Sequence, residues 1–413
     1  MSSGAAPADL ARLIEEALAG HPGLKAASAR IVASQGLAAQ AEAPPDPEIS
    51  VAYLNDGVSS FTLGESEFTT LAFTWTQEVP YPGKRRGAGE VARQGIAMAS
   101  LEQNRARLEI ASNVKIAYAD LYLLDRSGAI LEETRAILDS LAQTAMRRYE
   151  VGEGIQETVL KAQTGLLRVD AQILRLRQDR RAAEARLNAA VGRAVETSVG
   201  SATTLPEGGL PPDPEALADT AVASSPGIAV LDAAVRRQEA EARLSRVDLK
   251  PDFLWSASYQ NRGGLDPMVG AMFGVRLPVH KEQKQSQALH QAEAELEVAR
   301  RQLDDRRLTT RAAVIELVAR AERSEQLATL YDQGLIPQAR AALESALASY
   351  AVGRIAFLDV LNDLTVLLES RIELATQQSD RMRSVAGLEP LVGLDLIPAS
   401  PTVPTGGSDA FPR

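Results

Sequence analysis

In three stretches of this chain apolar residues return at every seventh position. Leu124, Leu131, Leu138 and Ala145 form one series, Leu160, Leu167 and Leu174 a second, and Leu361, Leu368, Ala375 and Met382 a third. That spacing predicts long helices packed side by side as coiled-coil neighbours, with a sharp turn making each consecutive pair antiparallel. Four short segments keep period two instead. Ile49, Val51 and Tyr53 alternate with Ser50 and Ala52, and Leu71, Phe73 and Trp75 alternate with Ala72 and three threonines. Phe253, Trp255, Ala257 and Tyr259, then Val269, Ala271, Phe273 and Val275, repeat the pattern. Alternation predicts strands with one apolar face and one polar or small face, as in a membrane barrel. A soluble sheet covered by helices shares that pattern, but the helices predicted here run several times further than a four-stranded sheet extends.

The order of elements is written twice. RRYEVGEGIQETVLKAQTGLL at 147–167 is answered by ASYAVGRIAFLDVLNDLTVLL at 348–368, HPGL at 21–24 by SPGI at 225–228, and LNAAVG at 187–192 by LEPLVG at 388–393. The first unit is expected over 1–200, with strands at about 47–58 and 67–79, a long helix at about 84–150 and a returning helix at about 156–192. A linker follows at 201–213. The second unit is expected over 214–395, with strands at about 252–262 and 268–278, a long helix at about 281–350 and a returning helix at about 356–388, then a flexible tail at 396–413. Each long helix would measure roughly 100 Å at 1.5 Å per residue. Pro337, whose repeat counterpart is Ala136, breaks the symmetry by removing a helical hydrogen bond, and is expected to bend the second long helix.

Composition narrows the chemistry. The chain has 413 residues, no cysteine and three histidines, so disulfides, thiolate metal sites and a catalytic thiol are excluded. A net charge of -10 argues against nucleic acid or anionic lipid as the main partner, since both select a positive surface, and is compatible with small cations. His280 and His290 lack the spacing of a metal pair on one helical face, and the glycines around Lys84 are in the wrong order for a phosphate loop. No cofactor and no catalytic centre are expected. The first residues lack the charged and apolar pattern of a signal peptide, and no apolar run approaches the ~20 residues of a membrane helix. Any span must be made of strands. Four strands cannot close a barrel, so the chain would have to self-associate: two copies give eight strands, and three give twelve, wide enough for a pore.

The duplication, the two YxVG turns followed by VL, and the strand hairpins entering helices at PGKRRGAG and VHKEQKQ resemble the TolC-like outer membrane efflux proteins over nearly the whole chain. TQEVPYPGKR at 76–85 and LIPQAR at 335–340 look most like the heavy-metal branch serving RND pumps. The resemblance implies a mainly α chain with a small membrane β portion: a homotrimeric twelve-stranded β-barrel continuous with a periplasmic α-helical barrel, and an equatorial belt from 1–20, 193–225 and residues after about 389. It implies an outer-membrane exit duct with a large periplasmic extension. Partners would be a periplasmic adaptor, an inner-membrane RND pump and outer-membrane lipid. A drug-efflux or type I secretion duct of the same fold, or a soluble coiled-coil scaffold, are the alternatives.

By position, the periplasmic gate and adaptor-facing tips comprise Tyr149, Gly152, Glu153, Glu157 and Thr158 in the first unit and Tyr350, Gly353, Asp359 and Asp363 in the second. Asp359 matches a family position that contributes an acidic ring, whereas Asp363 is displaced by one residue from a second such position and Thr158 supplies no carboxylate. Ile355 replaces a basic residue used in a gate-locking ion pair of some relatives. At the membrane interface the candidates are Tyr53, Trp75, Trp255 and Tyr259, with Lys84, Arg85, Arg86 and Lys281 at headgroup depth, where they could meet lipid phosphates.

Overall fold

The computed structural model describes residues 8–58, 61–206, 208–209 and 213–397. Its elements are α1 (Leu10–Gly20), α2 (Pro22–Glu42), β1 (Glu48–Leu54), β2 (Thr70–Val79), α3 (Lys84–Glu150), α4 (Gln156–Val191), α5 (Pro214–Ser224), α6 (Pro226–Val247), β3 (Asp252–Arg262), β4 (Leu265–Arg276), α7 (Gln285–Leu330), α8 (Ile336–Ala351) and α9 (Phe357–Val392). The order repeats as expected. β1 stops at Leu54, short of the predicted 58, and α9 continues past the predicted 388 to Val392. The second long helix begins at Gln285 because residues 280–284 form turns.

Near Pro337, where a bend is expected, the structure shows a change of helix type. Tyr331–Leu335 make one π-helical turn between α7 and α8, in which Ile336 N–H reaches back to Tyr331 O. The turn absorbs one extra residue. Before it, the buried Val314, Val318 and Ala321 match the buried Val114, Tyr118 and Leu121 at an offset of 200; after it, Ala339, Ala346 and Tyr350 match Leu138, Ala145 and Tyr149 at 201. A one-residue insertion in an α-helix would rotate everything beyond it by about 100°, and widening a single turn avoids that rotation.

The chain forms two compact units. One comprises residues 27–102 and 228–306 and contains a four-stranded antiparallel sheet in the order β1-β2-β3-β4. Its register sets Ile49 beside Trp75 and Ala257, Val51 beside Phe73 and Tyr259, and Gln77 beside Trp255 and Phe273. Paired residues share a face, so the aromatic and apolar β-branched side chains lie on one side of the sheet, and Ser50, Thr74 and Ser258 lie on the other together with Leu54, Leu254, Met268 and Met272.

The other unit comprises residues 1–26, 103–227 and 307–413. One of its cores gathers Leu131, Leu138 and Leu141 of α3, Ala162, Val169 and Ile173 of α4, and apolar residues of α8 and α9. A second joins α1 to α3, α4 and α9, and a third joins α5 to α7 and α9. These two cores use segments expected in the equatorial belt. Duplicated motifs meet in both: Gly192, at the left-handed end of α4, lies against His21 and Pro22, and Gly393, at the left-handed end of α9, lies against Ser224 and Pro226. Their φ angles of 85° and 75° favour glycine.

Two expectations require correction. Leu160, Leu167 and Leu174 do not line the seam with α3; they are 54%, 70% and 61% exposed, and α4 buries Val159, Ala162, Val169 and Ile173 instead. The seven-residue series therefore marks an exposed stripe of α4 and not its packed face. The predicted tail also starts too early, since Leu396 is packed against the core and Ile397 is 1% exposed; its remaining part lies outside the described residues.

Candidate functional site

The two YxVG sequences close their helices identically. In the first, Gly152 N–H donates to Tyr149 O at 3.0 Å and Glu153 N–H to Arg148 O at 2.9 Å; in the second, Gly353 N–H donates to Tyr350 O at 3.0 Å and Arg354 N–H to Ser349 O at 2.9 Å. This pair of bonds satisfies the terminal carbonyls of a helix and requires a left-handed residue. Glycine fills that role at φ 77° for Gly152 and 74° for Gly353.

The side chains around the turns are not alike. Tyr350 is buried, its ring centroid 5.9 Å from that of Phe357. Arg148 donates to Tyr350 O at 2.9 Å and places its guanidinium 5.4 Å from the Tyr350 ring centroid. A Cβ on Gly353 would come within 2.8 Å of Arg148 Nη2, so a larger residue there would displace the end of the arginine side chain. The counterpart of Arg148 is Ser349, and Tyr149 remains 44% exposed. Arg148 was not singled out from sequence, although an arginine opposite a serine at the repeat offset was a visible difference.

The acidic candidates are dispersed. Glu153 is exposed. Glu157 pairs with Lys161 at 2.6 Å, and that hydrogen bond holds its carboxyl below the usual glutamate value. Asp359 is exposed and accepts from Ala356 N–H at 3.2 Å, serving as a partial cap for α9. Asp363 and Thr158 are half-buried. Among the described residues neither Asp359 nor Asp363 forms an ion pair, so their charges are available to whatever approaches the tip.

At the strand ends the basic candidates separate. Lys84 is engaged, 2.9 Å from Asp252 Oδ1 and 3.9 Å from Asp248. Arg85 donates to Glu42 O at 3.1 Å. Arg86 and Lys281 are exposed. Tyr53, Trp75, Trp255 and Tyr259 lie on the apolar face at 40%, 44%, 53% and 47% exposure. Among the described residues none covers that face.

A buried ionic cluster was missed altogether. Lys115 and Glu389 are both almost fully buried; Lys115 Nζ lies 2.7 and 2.8 Å from the Glu389 oxygens, 2.6 Å from Asp395 Oδ1 and 2.9 Å from Ile397 O. Glu389 Oε1 also accepts from Leu396 N–H and Ile397 N–H at 3.0 and 2.9 Å. Burial pushes the Glu389 carboxyl above its ordinary value, against the pull of Lys115 and the Ile397 N–H. The cluster fastens residues 395–397 to α3 and α9. Lys115 shares a helical face with Ser112, Ala119 and Tyr122, all buried, which the mixed residue types on that face do not reveal in the sequence. Nearby, the Tyr118 hydroxyl, buried and within 3.1 Å of Ala8 O and Thr204 O, is pushed up to about 12. Among the described residues no group of three or more His, Cys, Asp or Glu gathers as a metal site, and no helix is long and apolar enough to cross a membrane.

Solved membrane proteins share this fold. The outer membrane protein VceC from Vibrio cholerae aligns over 93% of this chain and 96% of its own at a TM-score of 0.76 and 22% identity. CusC aligns over 95% and 94% at 0.80 and 15% identity. In sequence, outer membrane efflux protein BepC of Brucella suis biovar 1 (strain 1330) is 26% identical over 276 residues, 64% of this chain and 59% of BepC, so the matched segment spans less than two thirds of that relative. Residues 13–193 and 217–394, one stretch in each half of the duplication, both match the outer membrane efflux protein family, and the chain belongs to that family.

Proposed function

We propose that the chain assembles with copies of itself into an outer-membrane exit duct of a tripartite efflux system, passively conducting cargo handed over by a periplasmic adaptor and an inner-membrane RND pump. The observation that carries this reading is the uncovered apolar face of a sheet whose edge strands, β1 and β4, have no further partner among the described residues. Ile49, Val51, Phe73, Val269 and Phe273 are 74%, 60%, 44%, 83% and 54% exposed. A soluble scaffold would leave this surface in water at about 25 cal/mol per Å²; lipid removes that cost, and pairing β4 of one copy with β1 of the next removes the open edges. Three copies supply twelve strands. Heavy-metal cations are the finer reading of the cargo. They rest on the resemblance of TQEVPYPGKR and LIPQAR to that branch and on the unpaired carboxylates of Asp359 and Asp363 at the tips, where a ring of acids would attract cations.

The internal repeat supplies a test of assembly. A Cβ placed on Gly165 of α4 would lie 4.0 Å from Leu361 Cδ1 of α9, so the two positions face each other within one chain. At the repeat offset the corresponding pair is Val366 and Leu160, both exposed, at 47% and 54%. If neighbouring copies repeat the contact, Leu160 of one meets Val366 of the next. The Leu160→Cys/Val366→Cys variant should then form intermolecular disulfides that run as a trimer on a denaturing gel. Only intramolecular bonds, or none, would count against assembly through these faces.

A further inference from the structure

We propose that the cavity between the first turns of α3 and the last turns of α6 is a phospholipid headgroup site, in which Arg86 and Arg243 clasp the phosphate. The cavity measures about 440 Å³ and has an apolar floor that includes Leu244 and Val247. Two glycines keep it open where the helices approach: Gly83 has φ 108°, and a Cβ on Gly87 would lie 3.0 Å from Leu244 Cδ1. The surrounding cations are already committed. Lys84 is held by Asp252, Arg85 by Glu42 O, and Arg93 by Glu90 and Glu42. Glu90, the carboxylate lining the cavity, is engaged by Arg93 at 3.0 Å and Gln94 at 2.8 Å.

Arg86 and Arg243 differ from those neighbours. Both are exposed, both line the cavity, and neither makes a hydrogen bond or salt bridge with a described residue, although the Arg243 charge acts on the Glu90 carboxylate at longer range. Two unpaired guanidinium groups around one concavity, in a chain of net charge -10, present the fork geometry that binds phosphate oxygens in pairs. The floor below them suits a glycerol backbone and the first methylenes of an acyl chain better than it suits a free hydrated anion. Position supplies the source. β2 ends at Val79 just before α3, and β3 begins at Asp252 just after α6, so a lipid-embedded sheet brings the cavity to the depth of the headgroups. The site therefore rests on the membrane reading above.

The test uses the full chain, delipidated in detergent, with native mass spectrometry to count lipid adducts and planar bilayers to record channels. Dioleoyl phosphatidylglycerol should bind the wild type roughly tenfold more tightly than Arg86→Gln/Arg243→Gln, from the loss of charge-assisted bonds to the phosphate. Dioleoylglycerol, which lacks the phosphate, should not discriminate between the two. Arg86→Lys/Arg243→Lys should recover part of the affinity, separating charge at the site from a general folding defect. Equal phosphatidylglycerol binding by wild type and the glutamine variant overturns the proposal, and so does displacement of the lipid by millimolar inorganic phosphate, which would make this a free-anion site. Channels from both proteins without any difference in lipid binding would remove the site and leave the duct intact. A wild type that never inserts would remove both.

Discussion

Arg148, from the first copy of the repeat, donates to the carbonyl of Tyr350 in the second at 2.9 Å and faces its ring at 5.4 Å. The two tips are thereby tied within one chain. Since Ser349 stands where a second arginine would complete the pattern, the tie is not duplicated at Tyr149. Arg148→Ala should cost about 1 kcal/mol locally and loosen the α8–α9 turn more than the α3–α4 turn. Hydrogen exchange at 350–356 against 149–155 measures this; equal exchange at both turns would show that the contact does not hold the second tip.

The buried lysine and glutamate make a larger prediction. Lys115→Met leaves Glu389 without its cation in the core and should cost about 3–5 kcal/mol. The sign with pH follows from the raised value of Glu389. A carboxyl whose value is higher in the folded than in the unfolded state contributes stability that is fully present below its unfolded value, about 4.3. That contribution is lost as pH climbs through the folded value. Without Lys115 the folded value rises further, so the variant's deficit should be smallest near pH 4–5 and should widen toward pH 8. Denaturation midpoints of both proteins across that range measure it. A deficit independent of pH would assign the loss to packing alone.

Much of this was legible in the sequence, for identifiable reasons. Strand faces followed from period two, and the closing turns followed from glycine at matched positions, because both depend on local backbone geometry. The exposed series Leu160, Leu167 and Leu174 shows the limit: periodicity reveals that a stripe exists, but the partner depends on helix rotation, which the chain's tertiary contacts decide. The Lys115 cluster joins residues more than 270 positions apart, a separation at which no local pattern operates. Arg86 and Lys84 are close in sequence and equal in charge, yet only the fold commits one to Asp252 and leaves the other unpaired.

The π-helical turn at Tyr331–Leu335 predicts an unusual pair of variants. Deleting Gly334 alone restores an even repeat offset but places Pro337 in a regular helix, at a cost of about 3 kcal/mol. Adding Pro337→Ala to the deletion should recover most of that loss. Deletion of Ala136 from the regular α3 should be far more damaging, because it rotates Leu138, Leu141 and Ala145 out of the core by about 100°. Thermal unfolding of the three variants compares them, and failure of Pro337→Ala to rescue would mean that the turn does not exist to seat the proline and the inserted residue.

Asp359 has two roles that substitution can separate. Asp359→Asn removes the charge and keeps an oxygen able to accept from Ala356 N–H, whereas Asp359→Ala removes both. If its charge sets cation preference at a narrow tip, both variants should weaken cation selectivity in bilayers, and only the alanine variant should also lose helix-start stability, by about 0.5–1 kcal/mol. Unchanged selectivity and conductance in both would leave Asp359 as a cap and nothing more.

The central claim is that the uncovered face of the four-stranded sheet meets lipid in a self-assembled duct. Its most direct test is the mass and planar-bilayer conductance of the detergent-extracted protein, expressed behind an export signal. The account predicts a trimer that opens discrete, cation-preferring channels. A water-soluble monomer or dimer that forms no channels would contradict it.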